Sequence, residues 1–524
     1  MDPIWRIPIL LFIFGSFNAC TEPMNDQHAA SSHYREPHRP QFHFSPKEKW
    51  MNDPNGMVYY EGEYHLFYQY YPDSTVWGPM HWGHAISRDL VHWEHLPIAL
   101  YPDSLGYIFS GSAVVDWNNT SGLGINGQPP LVAIFTYHDP DGEKAKRSDY
   151  QCQGIANSND KGRTWTKYDG NPVLPNRGPV ADFRDPKVIW DEGSGQWIMA
   201  LAVYDHVEFW GSKDLKSWAH LSDFGKEWGM HTGVWECPDL FPMAVEGSDV
   251  QKWVLLLSIN PGGPNGGSAT QYFVGHFDGK TFTLDESFAN EVKDERAIWL
   301  DAGRDNYAGV TWSDIPGEDG RRLFLGWMSN WEYAQVVPTG AWRSAMTIPR
   351  VLNLKKTEAG YRLFAQPVEE LKALRQAPIE ITGTGIKTSI SPQTELVLDF
   401  EISDSGDANF GVELSNGKGE RYRFGYDQAA NLFYSDRTQS GDFSFSEKFA
   451  GKPVTAQRLS KERILRLHLF IDAASAEIFA DDGADVLTEL FFPSEDFNQV
   501  KIYVEKGTVE LKNGTGYPLA GIWP

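Results

Sequence analysis

Short apolar and aromatic runs alternate with turn residues over the first two thirds of the chain. Gly, Pro, Asn or Asp bounds each run, and no helical period of 3.6 residues intervenes between them. The clearest runs are 64–70, 131–137, 187–190, 197–203 and 253–259. Short strands at regular spacing predict an all-β domain, which could be a sandwich, a barrel or a propeller.

A degenerate repeat helps to choose among these architectures. The segment 87–93 (SRDLVHW) recurs as 158–165 (SNDKGRTW) and again as 212–218 (SKDLKSW). Each copy has the pattern of a strand end, an Asp-centred turn and a strand opened by Trp. Hairpins that recur at blade-sized intervals favour a propeller. The alternative is a chance similarity among Asp-containing hairpins.

The pattern changes after Arg350. A helix-like stretch at 368–375 (VEELKALR) is typical of a linker, and from Ile379 onward apolar and polar residues alternate, as in 395–400 and 464–470. Alternation with a period of two, interrupted by turns, predicts a β-sandwich of about 150 residues.

Composition excludes some functions and leaves others open. The 524 residues carry 46 Lys and Arg against 70 Asp and Glu, a formal net charge of −24, so a nucleic acid is not expected as a partner. Aromatic residues make up 14% of the chain and include 20 Trp. Aromatic faces stack on sugar rings but also fill cores, so composition alone does not decide for carbohydrate binding.

The N-terminus resembles an export signal. An apolar run, Ile7 to Phe17, is too short to span a bilayer and ends in small residues before Cys20. The sequence FNAC resembles a bacterial lipoprotein box, in which Cys20 is lipidated. Membrane contact is then expected only through this anchor. The predicted organisation is a signal peptide (1–19), a polar tether (20–40), a propeller (41–352), a linker (353–376) and a sandwich (377–524).

Three acidic residues stand in contexts that ordinary surface charge does not produce. Asp53 lies in WMNDPNG, where Pro and Gly fix the backbone and Trp and Met supply an apolar wall. Asp185 follows Arg184 in FRDP, and the proline after it predicts an extended conformation for the aspartate. Glu236 lies in VWECPDLF, where Trp, Cys and Pro predict a poorly solvated carboxyl that stays protonated.

Cleavage of a glycosidic bond needs this asymmetry. One carboxylate must be ionised to attack the anomeric carbon, and one carboxyl must be protonated to donate to the leaving oxygen. Each context also has an ordinary structural explanation. Asp53 could belong to a turn, Asp185 to a buried ion pair and Glu236 to a strand edge.

Taken together and in order, the motifs are specific. WMNDPNG (50–56), FSGS (109–112), FRDP (183–186) and WECPD (235–239) resemble the signatures of glycoside hydrolase family 32, the β-fructosidases. Further stretches look closest to bacterial levanases and exo-inulinases. These stretches are 64–70, 77–85, 93–97 and 327–350, with a weaker likeness at 470–483.

This resemblance implies a five-bladed β-propeller followed by a β-sandwich, with the active site in a funnel at the propeller axis. It also implies that Asp53 is the nucleophile, Glu236 the general acid/base and Asp185 a stabiliser of the transition state. The substrate would be a fructan or fructo-oligosaccharide, and no metal or cofactor is expected. The positions matching the fructosyl pocket are Trp50, Met51, Asn52, Gln69, Trp77, Phe109, Ser110, Ser112, Arg184 and Trp331.

Several alternatives stay open at this point. A related family of five-bladed propellers cleaves arabinan and xylan with inversion and also uses three acids. A non-catalytic fructan-binding lipoprotein could share the fold, and fructosyl transfer uses the same chemistry as hydrolysis. The sequence favours exo over endo action through the 327–350 stretch. It does not decide between levan and inulin, nor does it fix the oligomeric state. Ala302 departs from the family pattern, which leaves the outer subsites open.

Overall fold

The computed structural model describes residues 33–524. The predicted signal peptide 1–19, Cys20 and most of the predicted tether lie outside this range. Within it, no helix has the length and apolar character to cross a membrane.

Five antiparallel sheets, each built from strands that follow one another along the chain, occupy residues 49–367. Blade one contains β1 (Lys49–Tyr60), β2 (Glu63–Tyr71), β3 (His81–Ser87) and β4 (Trp93–Leu100). Blade two contains β5 (Tyr107–Val115), β6 (Leu131–His138), β7 (Gln151–Ser158) and β8 (Thr166–Lys167), with the short helix α1 (Pro140–Lys144) after β6. Blade three contains β9 (Phe183–Asp191), β10 (Gln196–Val203), β11 (His206–Ser212) and β12 (Ala219–Phe224).

The last two blades are less regular. Blade four contains β13 (Val234–Ala244), β14 (Gln251–Asn260), β15 (Ala269–Phe277) and β16 (Phe282–Leu284), and helix α2 (Glu286–Ala289) follows. Blade five contains β17 (Tyr307–Thr311), β18 (Arg322–Met328), β20 (Ala345–Met346), β21 (Arg350–Thr357) and β22 (Gly360–Pro367). Strand β19 (Trp342–Arg343) leaves blade five and pairs in parallel with β1, which ties the last blade to the first.

The first strand of each blade lies innermost. Strands β1, β5, β9, β13 and β17 contact one another in that order, and contacts between β17 and β1 close the ring. Strand β6, second in its blade, is buried along its whole length because neighbouring blades cover both faces of the sheet. The predicted five-bladed propeller is therefore confirmed.

The sequence repeat corresponds to the hairpin that joins the third and fourth strands of blades one to three. In each copy the Asp carboxylate accepts backbone N–H groups of the turn, as Asp89, Asp160 and Asp214 do. Blade four uses the same device at Asp278, without the flanking Ser and Trp, so the sequence pattern misses it.

The boundary between the domains lies later than the sequence predicts. The predicted linker 353–376 contains most of β21 and all of β22, which extend the sheet of blade five. Only the 3₁₀ helix Glu369–Leu374 connects the domains, and its Leu371 and Leu374 are buried. Alternating residues of these two strands face the core, as in any propeller blade, and this two-residue period distinguishes them from a linker.

Two six-stranded sheets form the C-terminal sandwich, as predicted. In spatial order the first contains β23 (Ile379–Glu380), β34 (Val509–Pro518), β25 (Thr394–Ile402), β30 (Ile464–Asp472), β31 (Ser475–Ala480) and β32 (Asp485–Leu490), with a 3₁₀ turn at Asp481–Gly483. The second contains β24 (Lys387–Ser389), β33 (Gln499–Lys506), β26 (Asn409–Ser415), β27 (Arg421–Asp427), β28 (Leu432–Gln439) and β29 (Val454–Gln457). Apolar residues on the facing sides form one core.

A buried ionic network joins the two domains. Arg350 of β21 contacts Asp301 at 2.9 Å and also pairs with Glu477 of β31. His43 bridges the sandwich carboxylates Asp472, at 2.8 Å, and Glu477, at 2.9 Å. Because these charges are fully buried, each depends on its partners, and the two domains are held in one arrangement.

The end of the predicted tether is packed rather than extended. Tyr34 stacks on Trp523 with ring centroids 4.1 Å apart, and buried Arg39 donates to the carbonyl groups of Pro46 and Lys47. The segment from residue 33 to residue 40 is therefore part of the folded domain. This packing uses aromatic and Arg side chains that a polar composition does not reveal.

Candidate active site

All five innermost strands break their pairing register at the same end of the propeller. Shifts occur in β1, β5, β9, β13 and β17, each near the start of the strand. Such bulges re-aim side chains and are common beside active sites. The residues at these shifts are Asp53, Ser110, Asp185, Cys237 and Ala308.

Asp53 is held by one hydrogen bond to each carboxylate oxygen. Asn52 Nδ2 donates to Oδ1 at 3.0 Å, and Ser110 Oγ donates to Oδ2 at 2.8 Å. Asn52 is itself fixed by the indole N–H of Trp50, which donates to its Oδ1 at 2.7 Å. Adjacent strands β1 and β5 thus orient the carboxylate before any ligand arrives.

Asp185 adopts a left-handed backbone conformation with φ of +63°. The expected extended conformation is therefore wrong. The bulge removes its N–H from the strand ladder, and Thr136 Oγ1 accepts that N–H at 3.0 Å instead. The backbone N–H of Cys237 donates to Asp185 Oδ2 at 3.1 Å. Contacts with two neighbouring blades override the local preference of a residue before proline.

Cys237 connects the two aspartates. Its Sγ lies 3.6 Å from Asp185 Oδ2 and 3.8 Å from Asp53 Oδ2. Burial raises the pKa of this thiol well above its usual range, and the nearby carboxylates add to the effect. The neutral thiol therefore faces both aspartates as a weak donor.

Glu236 has different neighbours from those expected. Arg184 Nε and Nη2 donate to its Oε1 at 3.2 and 3.1 Å, and Tyr307 Oη donates to Oε2. The apolar flanks do not surround it, because the Trp235 ring is turned into the core and Cys237 faces the aspartates. The Glu236 side chain is 22% exposed, against 6% for Asp185, and ionic and hydrogen-bonding groups rather than apolar flanks surround its carboxyl.

The two aspartates hold protons more readily than usual. Burial raises the pKa of Asp53 to about 6, the charge of Glu236 adds to this, and the hydrogen bonds from Asn52 and Ser110 oppose it. Burial also raises the pKa of Asp185 to about 7. Arg184 opposes this shift, and the charges of Glu236 and Asp53 reinforce it. The pKa values of both aspartates therefore depend on the charges of their neighbours in the pocket.

Most of the predicted residues line one pocket of about 270 Å³ at this end of the axis. The predicted residues found there are Asn52, Asp53, Gln69, Trp77, Phe109, Ser110, Arg184, Asp185, Glu236 and Trp331. Gln69 Nε2 is buried and has no hydrogen-bond partner among residues 33–524. Its amide is available to a hydroxyl group in the pocket.

Three of the residues predicted for the pocket do not line it. Trp50 and Met51 are fully buried in the core, where the Trp50 ring packs against Trp327 and Trp331. Ser112 links two blades, since its Oγ donates to the carbonyl oxygen of Pro186 at 2.9 Å. Trp50 and Met51 precede the register shift of β1 and Ser112 follows that of β5, so the bulges rather than strand alternation decide which residues of these motifs face the pocket.

The pocket also contains residues that the sequence analysis missed. They are His138, Glu143, Tyr150, Gln151, Asp182 and Gln335, and Tyr307 contacts Glu236 from below. His138 stacks on Phe109 with centroids 4.2 Å apart, and Gln151 Oε1 accepts the N–H of Phe183. They lie in β6, α1, β7 and loops, and all except Gln335, which belongs to the 327–350 stretch, lie outside the segments that resemble the family.

One group of described residues has the spacing of a metal site. His206, Glu208 and Asp223 lie in blade three, outside this pocket, and Asp223 is already paired with Lys226. The absence of a metal and of a cofactor in the chemistry stays a prediction.

Family models place this geometry among known proteins. The N-terminal domain model of glycosyl hydrolases family 32 matches residues 43–367, and the C-terminal model matches residues 370–518. The chain belongs to glycosyl hydrolase family 32. The resemblance found in the motifs is confirmed, and the inverting arabinan- and xylan-cleaving family is excluded. The N-terminal match ends at 367, where β22 also ends.

Similar proteins of family 32 cover nearly the whole chain. A levanase of Bacillus subtilis is 48% identical over 94% of this chain and 72% of its own. An extracellular exo-inulinase of Aspergillus awamori is 38% identical over 94% of this chain and 96% of its own. The crystal structure of exo-inulinase from Aspergillus awamori superposes with a TM-score of 0.85 at 37% identity, over 94% of this chain and 100% of that one.

A ligand complex is also similar in fold. The β-fructofuranosidase of Schwanniomyces occidentalis complexed with fructosyl-erythritol superposes with a TM-score of 0.82 at 33% identity, over 94% of this chain and 99% of that one.

Proposed function

We propose that the protein is a retaining β-fructofuranosidase that removes terminal fructosyl units from fructans and from sucrose. One observation carries this proposal. Asp53, Asp185 and Glu236, from three of the five innermost strands, face one pocket together with a Gln69 amide nitrogen that has no hydrogen-bond partner among residues 33–524. The levanase, exo-inulinase and β-fructofuranosidase names of its relatives support the same substrate class.

Asp53 is the nucleophile in this proposal. Asn52 and Ser110 fix both of its oxygens, so the attacking atom needs little reorientation. Attack on the anomeric C2 breaks the glycosidic bond and forms a covalent fructosyl ester on Asp53. A water molecule then releases fructose with its configuration retained.

Glu236 supplies the proton to the leaving oxygen and later removes one from the attacking water. Its side chain is more accessible than that of Asp185, which suits a group that meets both leaving group and solvent. Attack requires an ionised Asp53, and donation to the leaving oxygen requires a protonated Glu236.

Asp185 and Arg184 bind the sugar ring, and Asp185 also offsets the positive charge of the transition state. The carboxylate of Asp185 accepts from hydroxyl groups, and a buried negative charge beside C2 stabilises an oxocarbenium-like ion. Gln69 Nε2 donates to another hydroxyl, which would satisfy its missing hydrogen bond.

The size of the pocket supports exo action in this proposal. A volume of about 270 Å³, rimmed by Trp77, Phe109 and Trp331, suits one terminal unit rather than an internal segment of a polymer. When levan, inulin and sucrose are digested in parallel and the products are separated by chromatography, we expect fructose and the terminal glucose of each chain from the two fructans, without intermediate oligomers, and equal amounts of fructose and glucose from sucrose. A ladder of oligomers would contradict exo action, and products longer than the substrate would indicate fructosyl transfer.

Replacement of Glu236 by Gln tests its role as the acid. Hydrolysis of sucrose should fall by about 10²–10⁴-fold, while hydrolysis of β-fructosyl fluoride, whose leaving group needs no proton, should fall much less. Glu143→Gln is the matched control, because Glu143 lines the same pocket without contacting the three acids. Equal losses on both substrates for Glu236→Gln would contradict the assignment.

We further propose that the protein is exported and that Cys20 carries a lipid anchor. The apolar run before Cys20 supports this, as does the extracellular location in the names of the exo-inulinases. Mass spectrometry of the N-terminal peptide should find a diacylated cysteine, and Cys20→Ala should release the enzyme from membranes. An unmodified Cys20 in membrane fractions would contradict the anchor.

A further inference from the structure

A second cavity opens at the other end of the propeller axis. It holds about 500 Å³ and is lined by the far ends of β5, β9 and β13, of which β9 carries Asp185 and β13 carries Glu236. Strand β13 runs from Glu236 in the candidate active site to Phe241 in this cavity. Five residues of extended strand separate the two by roughly 15 Å. The two cavities share no lining residue.

Tryptophans form the walls of this rear cavity. Trp117 is 59% exposed, although large aromatic rings are usually buried. Its indole Nε1–H donates to Asp314 Oδ1 at 2.9 Å, which fixes the ring at the rim. Trp190 and Trp253 are half-buried at other points of the lining. Fixed aromatic faces of this kind offer apolar contact area at low entropic cost.

Polar groups with unused hydrogen-bonding capacity form the floor. The Arg322 guanidinium packs 4.7 Å from the centroid of the Phe241 ring, and it makes no hydrogen bond or ion pair with the residues from 33 to 524. Ser313 Oγ, in the same lining, is buried and also lacks a hydrogen-bond partner within that range. Buried polar groups without partners mark places where a ligand or water completes the hydrogen bonding.

The charges of the floor select the type of ligand. Two cations, Lys187 and Arg322, are offset by two carboxylates, Asp239 and Asp314. Lys187 Nζ lies 3.3 Å from Asp239 Oδ1, so the charges of these two residues offset each other. Asp314 accepts from the N–H of Val115 and from Trp117. The carboxylates would repel an organic anion, and Arg322 would repel an organic cation. A neutral polyhydroxyl ligand can accept from Arg322 and donate to Asp314.

We propose that this rear cavity is a second saccharide-binding pocket, which holds a sugar unit of a fructan while a chain end occupies the catalytic pocket. The identity of the sugar rests on the proposed function. A polymer held at one site raises the effective concentration of its ends at the other, so the rear pocket should matter for long fructans and not for sucrose.

Calorimetry counts the sites directly. The full chain with Asp53→Asn, which stops hydrolysis, is titrated with the tetrasaccharide nystose. Two binding events are expected, and Trp117→Ala in the same background should abolish one of them. Arg322→Met should weaken the same event at least tenfold. Phe443→Ala is the matched control, since Phe443 is 51% exposed on the sandwich and lies in neither cavity.

Kinetics provide an independent readout. Trp117→Ala in the active enzyme should raise KM for long-chain inulin at least threefold and change kcat/KM for sucrose less than twofold. A single binding event, a second event that survives Trp117→Ala, or displacement of that event by citrate would overturn the second pocket. Failure of the wild type to hydrolyse sucrose and inulin would contradict the proposed function instead, because the calorimetric count does not depend on turnover.

Discussion

The hydrogen bond from Ser110 to Asp53 offers a quantitative test of how the nucleophile is kept ionised. Ser110 Oγ lies 2.8 Å from Asp53 Oδ2 and opposes the burial that raises the pKa of Asp53 to about 6. A hydrogen bond to a charged acceptor contributes about 1.5–3 kcal/mol. Because water can partly replace the hydroxyl, we take the lower value for Ser110→Ala. At about 1.4 kcal/mol per pKa unit, the acid limb of the activity should move upward by about one pH unit.

The sign follows from the chemistry. Asp53 attacks only as a carboxylate, so activity is present above its pKa and is lost as pH falls through it. The assay is kcat/KM for sucrose from about pH 4 to about pH 9, because this parameter reports the free enzyme. We expect the wild-type acid limb to reflect Asp53, with a pKa of about 6, and Asp185, with a pKa of about 7, and we expect about tenfold lower activity for Ser110→Ala at about pH 5, where the shifted Asp53 is mostly protonated.

Ser110→Thr is the matched control, because it keeps a hydroxyl group at the same position. Its acid limb should stay close to that of the wild type. An unchanged acid limb in Ser110→Ala, with activity reduced equally at all pH values, would refute the proposed effect on ionisation. Ser110 would then act only in substrate binding.

Three further predictions concern stability. Although burial opposes it, hydrogen bonds to two buried carboxylates raise the pKa of His43 to about 9. The protonated His43 stabilises the fold by about 3 kcal/mol below about pH 6.5, and this stabilisation is lost as pH rises through about 9. The Tm of the wild type should therefore fall between these pH values, and the Tm of His43→Gln should fall much less. Parallel plots of Tm against pH for the two proteins would contradict this prediction. Arg350→Met leaves Asp301 and Glu477 buried without their cation and should cost about 3–5 kcal/mol in a denaturant titration, whereas an unchanged midpoint would refute it. Gly56 of β1 has φ of +56°, and a Cβ added there would lie 2.7 Å from atoms of the Phe67 and Trp82 rings. Gly56→Ala should therefore lower the free energy of unfolding by about 1–3 kcal/mol in the same assay. A neutral effect would show that the backbone and the two rings relax around the methyl group.

Sequence patterns predict the strands and the three acids because both leave local signals. The two-residue period of the sandwich and the Asp-centred hairpins of the blades depend on neighbours along the chain. The short motifs around Asp53, Asp185 and Glu236 differ from one another because each bulged strand brings a different side chain to the same end of the propeller axis.

Long-range contacts explain what the sequence does not predict. The left-handed conformation of Asp185 depends on Thr136 in another blade, and the neighbours of Glu236 come from β9 and β17. Trp50 and Ser112 look like ligand contacts in their motifs, yet they support the residues that line the pocket. Residues such as Gln151 enter the pocket only because the propeller closes.

The anomeric configuration of the first product tests the central claim most directly. Proton NMR during rapid hydrolysis of sucrose can distinguish β-fructofuranose from its α anomer before mutarotation mixes them. Attack by Asp53 followed by water predicts that the β anomer appears first. Initial release of the α anomer would show inversion and would contradict a covalent intermediate on Asp53.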